Sequence, residues 1–268
     1  MTLPPVVFSH GNSFPASTYR VMLDSLRSRG LDVHAIEKFG HDPKYPVTNN
    51  WPHLVEQLAD FTRGLVKQAG QPAFLVGHSL GGFLSLMCAA RHPMLARGVV
   101  MIDSPLVGGW RANTLGLVKR TPLLKSVSPG SVSRKRRTAW DDREAAFAHF
   151  RAKRAFARWD ERVLRDYVDY GMRASPGALT LSFDRDVETA IYDTLPHKIA
   201  SLLRANPLHF HVAFIGGRQS VEMRRVGLAM PERVTRGRMS MLDGSHLFPM
   251  EKPIATAAAV EAALRNLL

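Results

Sequence analysis

Three residues in the segment LVGHSLGG, Gly77, Ser79 and Gly81, occupy the fixed positions of a G-x-S-x-G pattern. This pattern places a serine in a strained turn between a strand and a helix, where only small neighbours fit. The apolar segment PAFLV leads into the turn, and the helix-compatible segment FLSLMCAARH follows it. A strand, a serine between glycines and a helix, in that order, predict that Ser79 is a nucleophile.

The second candidate catalytic group is His246, in the segment LDGSHLFPMEKP. This segment follows the last predicted strand and precedes the last predicted helix. An imidazole titrates near neutral pH and can therefore take the proton of a serine hydroxyl. We predict that His246 is the general base, and that His78, beside the nucleophile, packs behind it.

Two backbone N–H groups complete this predicted chemistry. The segment FSHGN ends the first predicted strand, and a tight turn there would expose the N–H of Asn12. The N–H of Leu80 directly follows the nucleophile. Donors aimed at one point stabilise the charge that develops on a carbonyl oxygen. We therefore predict an oxyanion hole formed by Asn12 and Leu80.

Short apolar segments alternate with longer amphipathic ones and must position these groups. The predicted strands are 5–9, 31–36, 72–77, 97–103, 209–217 and 236–242. Their nearly continuous apolar character is typical of parallel strands buried on both faces. The predicted helices are 17–29, 51–69, 80–91, 219–228 and 252–266, with Ser17 as an N-cap and Gly30 and Gly70 at helix ends. The alternation predicts an α/β fold with a mostly parallel twisted sheet flanked by helices.

The segment 105–207 interrupts the alternation. It shows no clear pair of strands and contains one long helical stretch over 141–171. We predict that 1–104 and 208–268 form the core and that 105–207 is a helical cap inserted before the penultimate strand.

Aromatic residues recur along the helical stretch at near-helical spacing: Phe147, Phe150, Phe156, Trp159, Tyr167 and Tyr170. A face of this kind either packs on the sheet or covers a pocket at the strand ends. We predict that Phe147, Phe150 and Trp159 contact the substrate.

Together these motifs resemble the α/β-hydrolase superfamily, specifically its serine hydrolases of the esterase and lipase type with a cap. The segments SHGN, LVGHSLGG, MIDSP, FIGG and GSHLFPMEKP occur in the family's order across essentially the whole chain. The resemblance implies a carboxylesterase that cleaves acyl esters through a triad and an acyl-enzyme intermediate. Thioesterases, C–C hydrolases and cofactor-free haloperoxidases use the same parts and remain alternatives. A non-catalytic hydrolase-fold protein or a basic-surface binding protein is the alternative of a different class.

The acid of the triad is the open part of this resemblance. In the family it usually follows the penultimate strand, where the segment FIGGRQSVEMRR offers Ser220 instead. Some members place it one strand earlier, which here is Asp103 in VVMIDSP. We favour Asp103 because it ends an apolar strand and is therefore expected to be buried. Glu222 is the alternative carboxylate, and a Ser–His pair without an acid is the third possibility.

The chain has 268 residues and a net charge of +13, from 36 basic and 23 acidic residues. Much of the excess lies between Arg111 and Arg173, including the run Arg134–Arg137. We interpret this excess first as a solvated basic surface, with a membrane surface or another anionic partner, bound through the basic cap, as the alternative. No nucleic-acid-binding motif accompanies the run, so we expect no nucleic acid.

Other features narrow the class of protein. The single cysteine, Cys88, excludes an internal disulfide. Neither HExxH nor CxxC occurs, so we expect no metal and no cofactor, and a small-molecule acyl substrate as the partner. The sequence shows no signal peptide and no run of 18 apolar residues, which predicts a cytoplasmic protein.

Overall fold

Six parallel strands form the central sheet of the computed structural model, which describes residues 4–106 and 133–268. They are β1 (Val6–Ser9), β2 (Val33–Ala35), β3 (Ala73–His78), β4 (Ala96–Ile102), β8 (Val212–Gly217) and β9 (Met239–Leu242). The strands β5 to β7 lie in residues 133–207, which are called the inserted segment below. Their spatial order is β2-β1-β3-β4-β8-β9. Each overlaps a predicted strand, so the predicted α/β fold with a parallel sheet is confirmed.

Apolar layers cover both faces of this sheet. Along β1, Val6 and Phe8 pack in one layer and Val7 in the other, because successive side chains of a strand point to opposite faces. The helices over the two layers are α1 (Arg20–Ser28) and α11 (Pro253–Arg265) on one face, and α2 (Pro52–Ala69) and α3 (Leu80–Arg91) on the other. All residues of β3 are buried, as expected of a central strand whose first five residues carry no polar side chain.

The predicted helix ends differ in outcome. Gly70 ends α2 with φ of 68°, and Gly30 follows α1 with φ of 84°, a left-handed conformation that glycine adopts without strain. The prediction that Ser17 is an N-cap is wrong. Ser17 lies inside a 3-10 turn, Ala16–Tyr19, and its hydroxyl donates to Glu37 at 2.6 Å instead of capping a helix.

The inserted segment contains a small antiparallel sheet, so the prediction that it holds no clear pair of strands is wrong. The strands β5 (Ala139–Trp140), β6 (Met172–Ser175) and β7 (Ala178–Leu181) have the spatial order β5-β7-β6. Pro176 and Gly177 join β6 to β7, and Gly177 has φ of 70°. Proline followed by glycine is a turn signal, but strands of two to four residues carry too little alternation to be recognised.

The helical stretch predicted over 141–171 is two helices, α4 (Arg143–Arg151) and α5 (Glu161–Tyr170). Asp142 caps the first helix, and its carboxylate accepts the N–H of Ala145 at 2.8 Å. Asp160 accepts the N–H of Arg162 at 2.9 Å and starts a new helix. A side chain that caps the backbone locally competes with a continuous helix, which explains the break.

The remaining helices of the described chain are α6 (Arg185–Asp193), α7 (Ile199–Ala205), α8 (Val221–Val226), α9 (Ala229–Thr235) and the short α10 (Phe248–Glu251). The division into a core and a cap at 105–207 stays a prediction, and residues 107–132 of that range lie outside the described residues. Across residues 4–106 and 133–268, no helix is long and apolar enough to cross a membrane.

Candidate active site

Ser79 sits in the tight turn between β3 and α3. Its φ of 51° and ψ of −112° are strained for a residue with a side chain. A Cβ atom on Gly77 would collide with the backbone of Gly81, and one on Gly81 would collide with the carbonyl of Ser9. The glycines are therefore required because the start of α3 approaches both its own strand and the end of β1.

The side chains of Ser79, His246 and Asp103 form one hydrogen-bonded chain. Ser79 Oγ lies 3.0 Å from His246 Nε2, and His246 Nδ1 lies 2.7 Å from Asp103 Oδ2. Asp103 follows β4, the strand beside β3, and the Ser79 N–H donates to the carbonyl of Ile102 at 2.9 Å. Glu222 is exposed and makes no hydrogen bond with His246 among the described residues. The structure therefore brings together the favoured three residues and leaves Glu222 outside.

Ser220, which occupies the position where the family usually has the acid, contacts the carboxylate of Asp103. Its hydroxyl donates to Asp103 Oδ2 at 2.6 Å, and the Gly217 N–H donates to Asp103 Oδ1 at 2.6 Å. Ser220 Oγ also accepts the N–H of Met223 at 3.1 Å, as the N-cap of α8. Asp103 is fully buried and its backbone is strained, with φ of 43°, so these donors fix a desolvated carboxylate. Sequence reasoning missed this contact because it joins residues 117 positions apart.

A second hydrogen-bonded chain runs behind the nucleophile through His78. Its Nε2 lies 2.9 Å from the carbonyl of His246, and its Nδ1 lies 2.7 Å from the hydroxyl of Tyr19. That hydroxyl accepts the N–H of Gly11 at 2.9 Å. Burial, reinforced by the nearby His246, holds the pKa of His78 well below its ordinary value. The neutral ring therefore donates from Nε2 and accepts at Nδ1, and it links the His246 loop to the loop after β1.

The two residues of the predicted oxyanion hole lie in the turn after β3 and in the loop after β1. Leu80 is the first residue of α3, a position whose N–H has no partner within a helix. Asn12 lies in the loop after β1, and its side-chain amide donates to the carbonyl of Glu188 at 3.0 Å. Neither backbone N–H donates to another group in the described part of the protein. Both donors are thus available, and the hole itself stays a prediction.

Glu188, in α6 of the inserted segment, anchors the loop after β1. Besides the contact with Asn12, its carboxylate accepts the hydroxyl of Ser13 at 2.5 Å and the guanidinium of Arg136 at 2.7 Å. Arg136 also donates to the hydroxyl of Tyr167 at 2.8 Å. Glu188 is 4% exposed, so its charge depends on Arg136. The pattern of α6 gave no sign of this role, since an acidic residue in the first turn of a helix is common.

A cavity of about 470 Å³ separates the loop after β1 from the inserted segment. Its lining comes from both sides: Ser13, Phe14, Ser133, Arg136, Arg137, His149, Phe150, Lys153, Ala155, Phe156, Glu188, Tyr192 and Glu222. Ser13 adjoins the predicted oxyanion residue Asn12, and Glu222 follows Ser220 by two positions. The cavity therefore adjoins the loop of the predicted oxyanion residue Asn12, whose side-chain amide donates to the carbonyl of the lining residue Glu188.

Of the three predicted substrate contacts, only Phe150 lines this cavity. Phe147 lies outside it, with the Arg165 guanidinium 3.7 Å from its ring centroid. Trp159 is buried against Phe14, with ring centroids 5.3 Å apart. Phe147 and Phe150 both belong to α4, so the difference between them is one of position around a single helix, whereas Trp159 lies between α4 and α5.

Half of the basic run Arg134–Arg137 is engaged in ion pairs. Arg134 pairs with Asp193 at 2.9 Å, and Arg136 pairs with Glu188 at 2.7 Å. Both partners belong to α6, so these arginines fix the inserted segment instead of facing a polyanion. No cluster of three or more metal-ligating side chains occurs within residues 4–106 and 133–268.

Comparison with known families agrees with this geometry. The model of the Alpha/beta hydrolase family matches residues 6–259. The chain belongs to the α/β-hydrolase family.

Curated relatives of this α/β hydrolase match it in part. A protein of Mycobacterium phage D29 named a non-heme haloperoxidase is 34% identical over 37% of the chain, and a monoglyceride lipase homolog of Monkeypox virus is 25% identical over 48%. The alignments span only 36% and 51% of these relatives. The crystal structure of E-2-(acetamidomethylene)succinate hydrolase shares the fold with a TM-score of 0.71 and 21% identity, over 98% of this chain and 91% of that one.

Proposed function

We propose that this α/β hydrolase cleaves carboxylic esters through an acyl-enzyme intermediate on Ser79. The observation that carries the proposal is the chain of contacts from Ser79 Oγ to His246 Nε2 at 3.0 Å and from His246 Nδ1 to Asp103 Oδ2 at 2.7 Å. A nucleophile, a base within hydrogen-bond reach and a third group that orients the base make up the geometry of acyl transfer.

The protonation states follow from this geometry. Asp103 accepts hydrogen bonds from Gly217 and Ser220, so His246 donates its Nδ1–H to the same carboxylate. Its Nε2 is then left without a proton and accepts the Ser79 hydroxyl proton as the oxygen attacks the ester carbonyl. The N–H groups of Asn12 and Leu80 donate hydrogen bonds to the carbonyl oxygen and stabilise the negative charge that forms on it.

The reaction then proceeds in two halves. Collapse of the first tetrahedral intermediate breaks the ester C–O bond, and His246 gives its proton to the leaving alcohol. A water molecule then attacks the acyl group on Ser79, with His246 as the base again, and releases the carboxylic acid. All of these steps use side chains and backbone groups of this chain, and the proposal requires no cofactor.

Two comparisons bear on the substrate class. The similarity to a monoglyceride lipase homolog supports an oxygen ester, and the similarity to a protein named a haloperoxidase keeps an alternative reaction of the same residues in view. Thioesters and C–C bonds are further alternative substrates for the same triad. A panel of 4-nitrophenyl esters, acyl thioesters and a bromination assay compares these activities directly.

Labelling with a fluorophosphonate probe tests the proposal without knowledge of the natural substrate. We expect the wild-type protein to label and to hydrolyse a short 4-nitrophenyl ester. Ser79→Ala should abolish labelling and lower turnover by about 10⁶-fold, with an unchanged circular dichroism spectrum. A folded wild-type protein that neither labels nor turns over any ester would indicate a non-catalytic binding protein instead.

A further inference from the structure

The cavity between the loop after β1 and the inserted segment combines an apolar lining with an excess of positive charge. Phe14, Phe150 and Phe156 supply aromatic surface from the loop after β1 and from the inserted segment. Phe14 and Phe156 lie edge to face with centroids 6.3 Å apart, and Phe150 and Phe156 are 4.9 Å apart. One continuous aromatic wall therefore faces whatever occupies the cavity, and it suits the methylene groups of an acyl chain.

The charged groups of the lining do not cancel. The buried carboxylate of Glu188 forms an ion pair with the guanidinium of Arg136, with 2.7 Å between Oε2 and Nη1. This pair leaves two cations, Arg137 and Lys153, against one carboxylate, Glu222. Neither Arg137 nor Lys153 forms an ion pair within 4.0 Å of a carboxylate in the part of the chain that the structure describes. Glu222 is likewise without an ion pair there.

Arg137 is held in place without being neutralised. Its Nε donates to the carbonyl of Ala139 at 2.6 Å, and its guanidinium lies 5.5 Å from the ring centroid of Trp140. A backbone carbonyl and an aromatic face orient the planar group but supply no negative charge. The two terminal nitrogens of Arg137 are therefore a fixed pair of donors, of the kind that suits a carboxylate.

His149, which also lines the cavity, responds to this charge. Its pKa lies below the ordinary value, first because the ring is desolvated, and then because Lys153, Arg137 and Arg136 repel a proton on it. The ring accordingly adds no further positive charge near neutral pH. The charges of Lys153, Arg137 and Arg136 therefore act on the same part of the cavity, around His149.

We propose that the cavity selects acyl groups that end in a carboxylate, so that the preferred substrates are monoesters of dicarboxylic acids. The methylene chain would lie along Phe14, Phe150 and Phe156, and the free carboxylate would pair with Arg137 and Lys153. Hydrolysis then consumes one water and releases an alcohol and a dicarboxylic acid. The inference rests on the proposed ester hydrolysis, and it adds that the preferred acyl group carries a negative charge.

The test compares matched esters that differ by one charge. The pairs are 4-nitrophenyl hydrogen adipate with 4-nitrophenyl hexanoate, and 4-nitrophenyl hydrogen suberate with 4-nitrophenyl octanoate. The measured quantity is the ratio of kcat/KM for the anionic ester to kcat/KM for the neutral ester of the same pair. For at least one pair, this ratio should be about tenfold higher for the wild-type protein than for Arg137→Gln/Lys153→Gln. The wild-type ratio should fall as NaCl is raised, because salt screens exposed charges.

Two further variants make the comparison specific. Arg91→Gln/Lys67→Gln removes the same two charges from exposed positions on α3 and α2, outside the cavity, and should leave the ratio unchanged. Glu222→Gln removes the opposing carboxylate and should raise the ratio. Equal ratios for the wild-type protein and Arg137→Gln/Lys153→Gln at both chain lengths would overturn the inference while leaving ester hydrolysis intact. Failure to hydrolyse either member of any pair would instead count against the proposed function.

Discussion

The two parts of the site are held together by different kinds of contact. Ser79 and Asp103 sit at the ends of adjacent parallel strands, where close backbone approach and N–H donors fix them. The wall of the cavity is held by side chains of the inserted segment, chiefly the ion pair of Glu188 and Arg136, and Glu188 also accepts the hydroxyl of Ser13 in the loop after β1. Backbone geometry tolerates little change, whereas side-chain pairs are easily exchanged. We therefore expect the reaction to depend on the core and the choice of substrate to depend on the inserted segment.

The largest effect in this comparison is expected at the end of β4. Asp103→Asn keeps the shape of the side chain, but its amide favours the imidazole tautomer that cannot accept the Ser79 proton. Turnover should fall by about 10⁴-fold, whereas Glu222→Gln should cost little with a neutral ester. Turnover numbers of both variants at equal folded fraction measure the contrast. Low turnover of Glu222→Gln together with normal turnover of Asp103→Asn would reverse the assignment. Normal turnover of both variants would indicate a Ser–His dyad.

A rescue experiment sharpens the same point. Ser220 Oγ lies 2.6 Å from Asp103 Oδ2, so a carboxylate at position 220 enters the neighbourhood of His246. Ser220→Asp on the Asp103→Asn background should therefore restore part of the turnover. Ser220→Asn on that background is the matched control, since it adds the same bulk without the charge.

The next effect concerns the buried ion pair of Glu188 and Arg136 in the wall of the cavity. Glu188→Gln leaves the guanidinium of Arg136, only 16% exposed, without its carboxylate, and should lower the free energy of unfolding by about 3 kcal/mol. Arg134→Gln breaks the more exposed pair with Asp193, at 35% and 29% exposure, and should cost less than about 1 kcal/mol. Urea unfolding measures both losses. Equal losses would mean that the buried pair contributes no more than a surface one.

Sequence patterns predicted the core better than the inserted segment for a physical reason. The strands of the sheet are buried on both faces, so they appear as continuous apolar runs, as in β3 and β8. The inserted strands have two to four residues, and β6 is exposed along three of its four residues. Patterns also indicated Ser79 and His246, whose neighbours along the chain carry the signal. The contacts of Ser220 and Glu188 join distant positions, which no local pattern records.

A smaller effect is expected at Ser220, which follows β8 and contacts Asp103. Ser220→Ala removes a donor to Asp103 and the N-cap of α8 together. We expect kcat to fall by about tenfold with little change in KM, and stability to fall by about 1 kcal/mol. Ser220→Thr keeps a hydroxyl and should recover most of kcat. A loss of stability without a loss of kcat would make Ser220 a helix cap only.

The smallest effect separates two phenylalanines one helical turn apart. Phe150 lines the cavity, whereas Phe147 lies outside it against Arg165. Phe150→Ala should enlarge the acyl site and shift the chain-length preference for 4-nitrophenyl esters by about tenfold, the lower end of what one apolar contact changes in discrimination. Phe147→Ala should leave that preference unchanged, although it removes the same ring from the same helix. Because both variants lose equal side-chain volume, a matching shift in the two would show that the inserted segment affects selectivity through its overall packing. A shift confined to Phe150→Ala would assign acyl selection to the cavity wall.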